Sequence, residues 1–350
     1  MLIWADSFDH YGATKANMLL GEWAQLLESG GTIDLSTTFA RTGTHSLKFI
    51  SANSGNPTLA RRAFGGSPRI TCGVGGAAYQ TSLPSTNVAA GVQLRDISNT
   101  AILTAIMQSD GSICIRKGDI TGTVLDISDA VLTAGTFHHI ELKATFDTVA
   151  GAFAVKVNGR TVLDQGGLNL GAVGAAQVVW GSFTARDIGD WYLEDVFAWD
   201  DSGTYNNDFL GAQRILTEFP MGDTAQADWT KNGAGTGYGC VNQADPDGDI
   251  TYLSSATAGD KSDFSLPALP SELAQIAGVY VPVMARINAA GIGNIKPSIK
   301  SSTDLLAGND DPLTTSYTYY GSVFEYDPHT SAAWTKAGLE AALLRLEKSL

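Results

Sequence analysis

The sequence predicts an all-β chain: two β-sandwich or jelly-roll domains with a short C-terminal helical turn. Three observations predict it. Short apolar runs recur along most of the chain, many alternating with period two as half-buried strands do. Glycine is abundant, 39 of 350 residues, and Ser, Thr and Asn crowd between the apolar runs, where they supply turns and positive φ. Finally, residues 190–203 (Asp-Trp-Tyr-Leu-Glu-Asp-Val-Phe-Ala-Trp-Asp-Asp-Ser-Gly) read as a long aromatic and β-branched strand closed by a turn. This strand divides the chain into a first domain over residues 1–203 and a second over 204–350. At this length each can have its own core.

In the first domain, Leu2–Phe8 reads as the opening strand, and Thr14 to Leu27 as a helical turn weakened by Gly21. The turn Arg41-Thr42-Gly43-Thr44 leads into a strand with Leu47 and Phe49 on one face and Ser46 and Lys48 on the other. Strands follow at Leu59–Phe64, Ile70–Tyr79, Val88–Arg95, Ile102–Gln108, Ser112–Lys117 and Thr123–Ile127. Asp110-Gly111 and Asn158-Gly159 are hairpin turns, the second suited to type I′. Gly135–Ala144, Gly151–Asp164 and Ala176–Phe183 supply the remaining strands. Regular short strands with turns between them predict an antiparallel sandwich.

In the second domain, Phe209–Pro220 reads as a strand stopped by proline. A polar, Gly-rich segment follows, then strands at Ile250–Leu253, Lys261–Phe264, Ile276–Asn288, Gly291–Ile299 and Tyr317–Phe324. Within Ile276–Asn288, Val279, Val281 and Val283 share a face, and Pro282 marks an edge. Thr335–Leu346 reads as a short helix or a helix-to-strand turn.

Composition narrows the function. The 22 Lys and Arg against 36 Asp and Glu give a net charge of −14, and no basic cluster is evident, which argues against nucleic acid. Cys72, Cys114 and Cys240 are odd in number and widely spaced, giving neither a disulfide framework nor a zinc site, so folding in a reducing cytoplasm is expected. No apolar run approaches the roughly 18–20 residues of a membrane span. The first residues meet Asp6 without a basic region, unlike a signal peptide.

Four segments occur in order: Arg41-Thr42-Gly43-Thr44-His45-Ser46-Leu47-Lys48-Phe49, Gly135-Thr136-Phe137-His138-His139-Ile140-Glu141-Leu142-Lys143, Ala154–Leu163 around Val157-Asn158-Gly159, and Asp190–Trp199. Together they resemble the laminin-G-like jelly-roll group of concanavalin A-like folds, with Phe137 where that group usually has Trp. The second half contains Tyr205-Asn206-Asn207-Asp208-Phe209-Leu210-Gly211, then Asp228-Trp229-Thr230, the block Asp247–Phe264 and Glu325-Tyr326-Asp327-Pro328-His329-Thr330-Ser331-Ala332-Ala333-Trp334-Thr335. It is similar to the C-terminal part of tailed-bacteriophage virion structural proteins. That resemblance implies a non-enzymatic virion component of the tail or fibre apparatus, made in the host cytoplasm and released by lysis. It also implies a homo-oligomer, such as a trimer, that assembles with other virion proteins and contacts a host surface glycan, without nucleic acid or membrane insertion. Capsid decoration, or a head fibre, is the alternative position; a glycan-degrading enzyme of concanavalin A-like fold is the alternative chemistry.

The chemical sites read as follows. Glycosidases of this fold need two carboxylates on one face, about 5–5.5 Å apart for retention. Glu194 and Asp195 are adjacent, and on a straight strand they point to opposite faces, so no catalytic residue is expected. Asp195 is read instead as a partner for turn backbone groups at the sandwich edge. Asp245, Asp247 and Asp249, and likewise Asn309 to Asp311, form acidic turns in which structural Ca²⁺ is the one cofactor considered. His138 and His139 face opposite ways and cannot share a metal. Gly73–Gly76 and Gly233–Gly237 are read as turns or kinks. The candidate glycan or subunit contacts are Trp191, Tyr192, Trp229, Tyr238, Tyr319 and Tyr320.

Overall fold

The computed structural model describes the chain except residues 52–55, 85–89, 185–189, 274 and 290. Val88 and Ala89, expected to open a strand, lie outside the described residues. The strands of the first half are β1 Leu2–Asp6, β2 Gln25–Glu28, β3 Gly31–Ser36, β4 Ser46–Ser51, β5 Thr58–Ala63, β6 Thr71–Gln80, β7 Ala90–Arg95 and β8 Ala101–Met107. They continue with β9 Ile113–Lys117, β10 Thr123–Ile127, β11 Phe137–Thr145, β12 Gly151–Val157, β13 Arg160–Leu168, β14 Gln177–Ser182 and β15 Trp191–Asp200. Sheet A has the order β13-β12-β11-β6-β15-β4-β3, with β1 also on β15; sheet B has the order β10-β9-β8-β7-β14-β5-β2. Alternation sends Leu47, Phe49, Val74, Leu142, Val155 and Leu193 of sheet A inward to meet Ala60, Val92, Leu94, Ile115, Val178 and Trp180 of sheet B. Trp191 stacks on Phe49 with centroids 4.4 Å apart. Each large side chain so buried contributes about 1.5–3 kcal/mol. Asn158 and Gly159 both have positive φ, 51° and 80°, as a type I′ turn between β12 and β13 requires.

The expected kink at Gly73–Gly76 is corrected by the structure. These glycines lie inside β6 without positive φ. They are there because rings cross them: a Cβ at Gly73 would stand 2.1 Å from Trp199, and one at Gly75 would stand 2.3 Å from Phe197. The Thr14–Leu27 region is a short 3₁₀ turn, Lys15–Leu19, followed by β2.

The second half contains β16 Gly222–Ala227, β17 Thr230–Asn232, β18 Tyr252–Ser254, β19 Lys261–Ser265, β20 Val279–Ala285, β21 Asn294–Ser301, β22 Asp304–Ala307, β23 Asp311–Pro312, β24 Thr318–Phe324 and β25 Leu343–Lys348. Sheet C runs β16-β19-β25-β21-β22, with β23 on β21; β17 pairs with β18, and β20 with β24. The short helix α1, Lys336–Glu340, is capped by Thr335, whose hydroxyl accepts from the Gly338 N–H, and leads directly into β25. Pro282 sits in a two-stranded ribbon, where a missing N–H is tolerated.

Phe209–Pro220 is not a strand. Its backbone N–H groups go to side chains of the first sandwich rather than to a neighbouring strand: Leu210 and Gly211 donate to Glu141, and Ile215 donates to Asp195. It is a strap lying over sheet A. The two halves also meet through β20 and β24, whose Tyr280, Met284 and Tyr319 pack on the first core. At that junction the buried Arg62 guanidinium donates to Asp6 at 2.9 Å, to Glu22 and to the Tyr280 hydroxyl. Tyr280 in turn donates to Glu22 at 2.7 Å, and Tyr11 and Trp23 donate to Asp6.

Candidate functional site on the outer face of sheet A

Directly paired residues on neighbouring strands share a face. Register therefore lays out the outer surface of sheet A in rows: Phe137, Tyr79 and Tyr192; then His139, Ala77 and Glu194; then Glu141, Gly75 and Phe197; then Lys143, Gly73 and Trp199. The small residues of β6 form a trough between flanking polar and aromatic side chains.

Strand β15 is bulged where it carries its acids. The pairing with β6 shifts between Glu194 and Phe197, and Asp195 adopts φ 52°, a left-handed conformation that costs energy for a non-glycine residue. The bulge turns both carboxylates toward the same loop. Glu194 accepts from the backbone N–H groups of Arg41 and Thr42, the latter at 2.6 Å. Asp195 accepts from the Arg41 guanidinium at 2.6 Å, from the Thr42 hydroxyl at 3.1 Å and from Ile215 N–H at 2.7 Å. The straight-strand argument that separated the two acids is therefore corrected. Asp195 does bind turn and strap backbone, as its structural reading expected.

Electrostatics follow from the burial of this row. Desolvation is the largest influence on Glu194 and, with the Asp195 charge beside it, pushes its carboxyl up to about 8 against the two backbone donors. Burial also raises Asp195 and Glu141, opposed at Asp195 by Ile215 N–H and Arg41. His139 is 2% exposed, lies over Phe197 and has neither ring nitrogen hydrogen-bonded among the described residues. Burial, and then the Arg41 charge, push it down to about 3.

Beside this row lies an aromatic platform. Phe39 stacks on Tyr79 with centroids 4.4 Å apart, Phe137 meets Tyr79 at 5.1 Å, and Tyr192 lies edge-on to Phe39 at 5.0 Å. Phe39, Tyr79 and Phe137 are half-buried, so their rings remain partly open to solvent. Lys48 sits over Tyr192 and pairs with Asp190 at 2.6 Å.

The aromatic residues singled out from sequence are mostly committed elsewhere. Trp191 is in the sandwich core and Tyr192 lies beneath the platform at 2% exposure. Tyr319 packs on the first core, and Tyr320 belongs to the Phe264, Ile295 and Leu346 cluster. Those four are corrected as contacts, because their own chain covers them. Trp229 and Tyr238 are half-buried against that second cluster. The sequence reading missed Phe39 and Tyr79 as surface groups. The period-two pattern of β6 carried a signal for Tyr79, which shares a face with Ala77, Gly75 and Gly73.

The acidic turn is occupied by protein donors: Asn17 on Asp245, Thr251 on Asp247, and Arg286 with Tyr317 on Asp249. Asp310 accepts from Ser349. No group of three or more His, Cys, Asp or Glu side chains converges among the described residues. All three cysteines are free and buried, and no helix among the described residues is long and apolar enough to cross a membrane. A cavity of about 790 Å³ lies between β20, the strap and sheet C, and neither Glu194 nor Asp195 lines it. Val279, Val281, Val283, Phe264 and Leu344 are among its lining residues.

No protein-family profile and no curated protein sequence matches the chain. Solved structures similar to it include the cellulose induced protein Cip1, at 16% identity and TM-score 0.44, covering 61% of this chain and 99% of that one. A GH131 beta-glucanase catalytic domain from Podospora anserina is similar at 12% identity and TM-score 0.41, covering 58% and 97%. The family 7 alginate lyase A1-II′ is similar at 17% identity and TM-score 0.38, covering 53% and 95%. The expectation of a non-enzyme is corrected on this chain's own geometry: the bulge brings Glu194 and Asp195 toward one loop and so removes the objection to a carboxylate pair.

Proposed function

We propose that this protein cleaves glycans on the outer face of sheet A. The observation that carries this reading is the bulge, which brings Glu194 and Asp195 to one face beside an aromatic platform. Phe39, Tyr79 and Phe137 stack on sugar faces. Glu194, protonated near neutral pH by its burial, gives its proton to the departing glycosidic oxygen as the C–O bond breaks, water supplies the hydroxyl taken by the anomeric carbon, and the water's remaining proton returns to the Glu194 carboxylate. Asp195, paired with Arg41, is the charged carboxylate beside it. Because loop 41–44 and the strap cover both acids, substrate must displace part of that cover to reach them.

The test is release of reducing ends from a panel of neutral and acidic polysaccharides. Glu194→Gln is expected to lower kcat by about 100-fold or more, whereas Phe39→Ala raises KM with a smaller change in kcat. Cleavage that survives Glu194→Gln unchanged would defeat the assignment. The virion role implied by the sequence resemblance is a separate proposal; immunogold labelling of phage particles tests it, and protein confined to the lysate would count against it.

A further inference from the structure

The opposite sheet carries a different chemistry. On sheet B the residues facing away from the core include Arg61 on β5, Gln177 on β14, Gln93 and Arg95 on β7, Thr104 on β8 and Arg116 on β9. The row through Arg61, Val179, Gln93, Thr104 and Arg116 spans four inter-strand steps, about 19 Å, and Arg95 lies one pleat to the side. All three arginines are half-buried. None forms an ion pair with a carboxylate among the described residues, although the chain carries a net charge of −14.

Their hydrogen bonds show how they are held. Arg95 Nε donates to Gln93 Oε1 at 2.6 Å, Gln93 donates to Thr104 at 2.9 Å, and Thr104 donates to the Gly118 carbonyl. Arg116 donates to the Gly122 carbonyl. The Arg61 side chain makes no hydrogen bond among the described residues, and its Nε is buried without a partner, as are Arg116 Nε and the acceptor Gln177 Oε1. Arg61 and Arg95 stand on β5 and β7, the two neighbours of β14, and burial, then the Arg61 charge, press Arg95 below its ordinary range. An unneutralised, partly desolvated guanidinium pair is a standing cost that a bound oxyanion removes.

We propose that this stripe binds an acidic saccharide through its carboxylate or sulfate groups, at a site separate from the face described above. A single phosphate cannot meet arginines spread over that distance, whereas a chain bearing anions at intervals can.

The test is calorimetric titration of the full chain with a polygalacturonate oligomer, a sulfated oligosaccharide, a neutral cello-oligomer and inorganic phosphate, at low and high salt. The expected result is binding of a charged oligomer but not the neutral one, weakened by salt and weakened about 10-fold or more by Arg61→Gln or Arg95→Gln. Arg160→Gln, on an exposed hairpin, leaves it unchanged. Arg61→Lys, which keeps the charge and loses the fork, gives a smaller loss and serves if the glutamine variant does not fold. Equal weakening by Arg160→Gln, binding of phosphate alone, or affinity unaltered in the arginine variants would overturn the proposal.

Discussion

Strands β15 and β20 look alike in sequence and differ in the molecule. Both are aromatic or β-branched runs flanked by turn residues, yet every residue of β15 is buried and every residue of β20 is only partly so. The difference lies in what surrounds them. β15 is paired with β6, β4 and β1 and is covered on its outer face by the strap. β20 has a single partner strand, one face against the first core and the other over the 790 Å³ cavity. A strand's own pattern states which face turns inward; the layers packed upon it decide how completely it is buried.

The strongest way to break that contrast is at the junction between the halves. Arg62→Met leaves Asp6 and Glu22 buried without their cation, and a loss of about 3–5 kcal/mol is expected in chemical denaturation. A native-like midpoint would show that the network is not holding β20 to the sandwich. Next in size is Gly75→Val, which drives a side chain into the Phe197 ring and is expected to cost about 1–3 kcal/mol. Val281→Ala, beside the cavity, is expected to cost no more than about 1.5 kcal/mol. Comparable denaturation midpoints for the two variants would erase the distinction between the strands.

The smallest effect is in pH. Glu194 has a folded value raised above the ordinary carboxylate range, so the folded state holds a proton that the unfolded chain has lost. Its contribution is complete below the ordinary value and is lost as pH rises through about 8. Asp195 and Glu141 act in the same sense. His139 acts oppositely, its contribution being lost as pH falls toward about 3. Thermal melts should therefore show a decline on the alkaline side that Glu194→Gln flattens. An unchanged alkaline slope in that variant would remove Glu194 as its source.

Much of the fold was legible because hairpin chemistry is local. Asp110-Gly111 and Asn158-Gly159 announce their turns, and alternation at Leu47 and Phe49 names the inward face. The Glu194–Asp195 arrangement was not legible, since a bulge arises from the register between two strands and leaves no mark in the residues themselves. Phe209–Pro220 misled for a related reason. Its apolar residues suit a strand, but its backbone partners are carboxylates on β11 and β15, distant in sequence. Gly73 and Gly75 carry meaning only once Trp199 and Phe197 are laid across them.

The strap also has a mechanical consequence. Its attachments, Glu141 at Leu210 and Gly211 and then Asp195 at Ile215, lie one after another along the path between the halves. A pull applied through the second half would load them in sequence, as in a zipper, rather than together in shear. Tension would peel the cover from sheet A before the sandwich itself yielded, uncovering Glu194 and its neighbours while β15 stayed paired in the sheet.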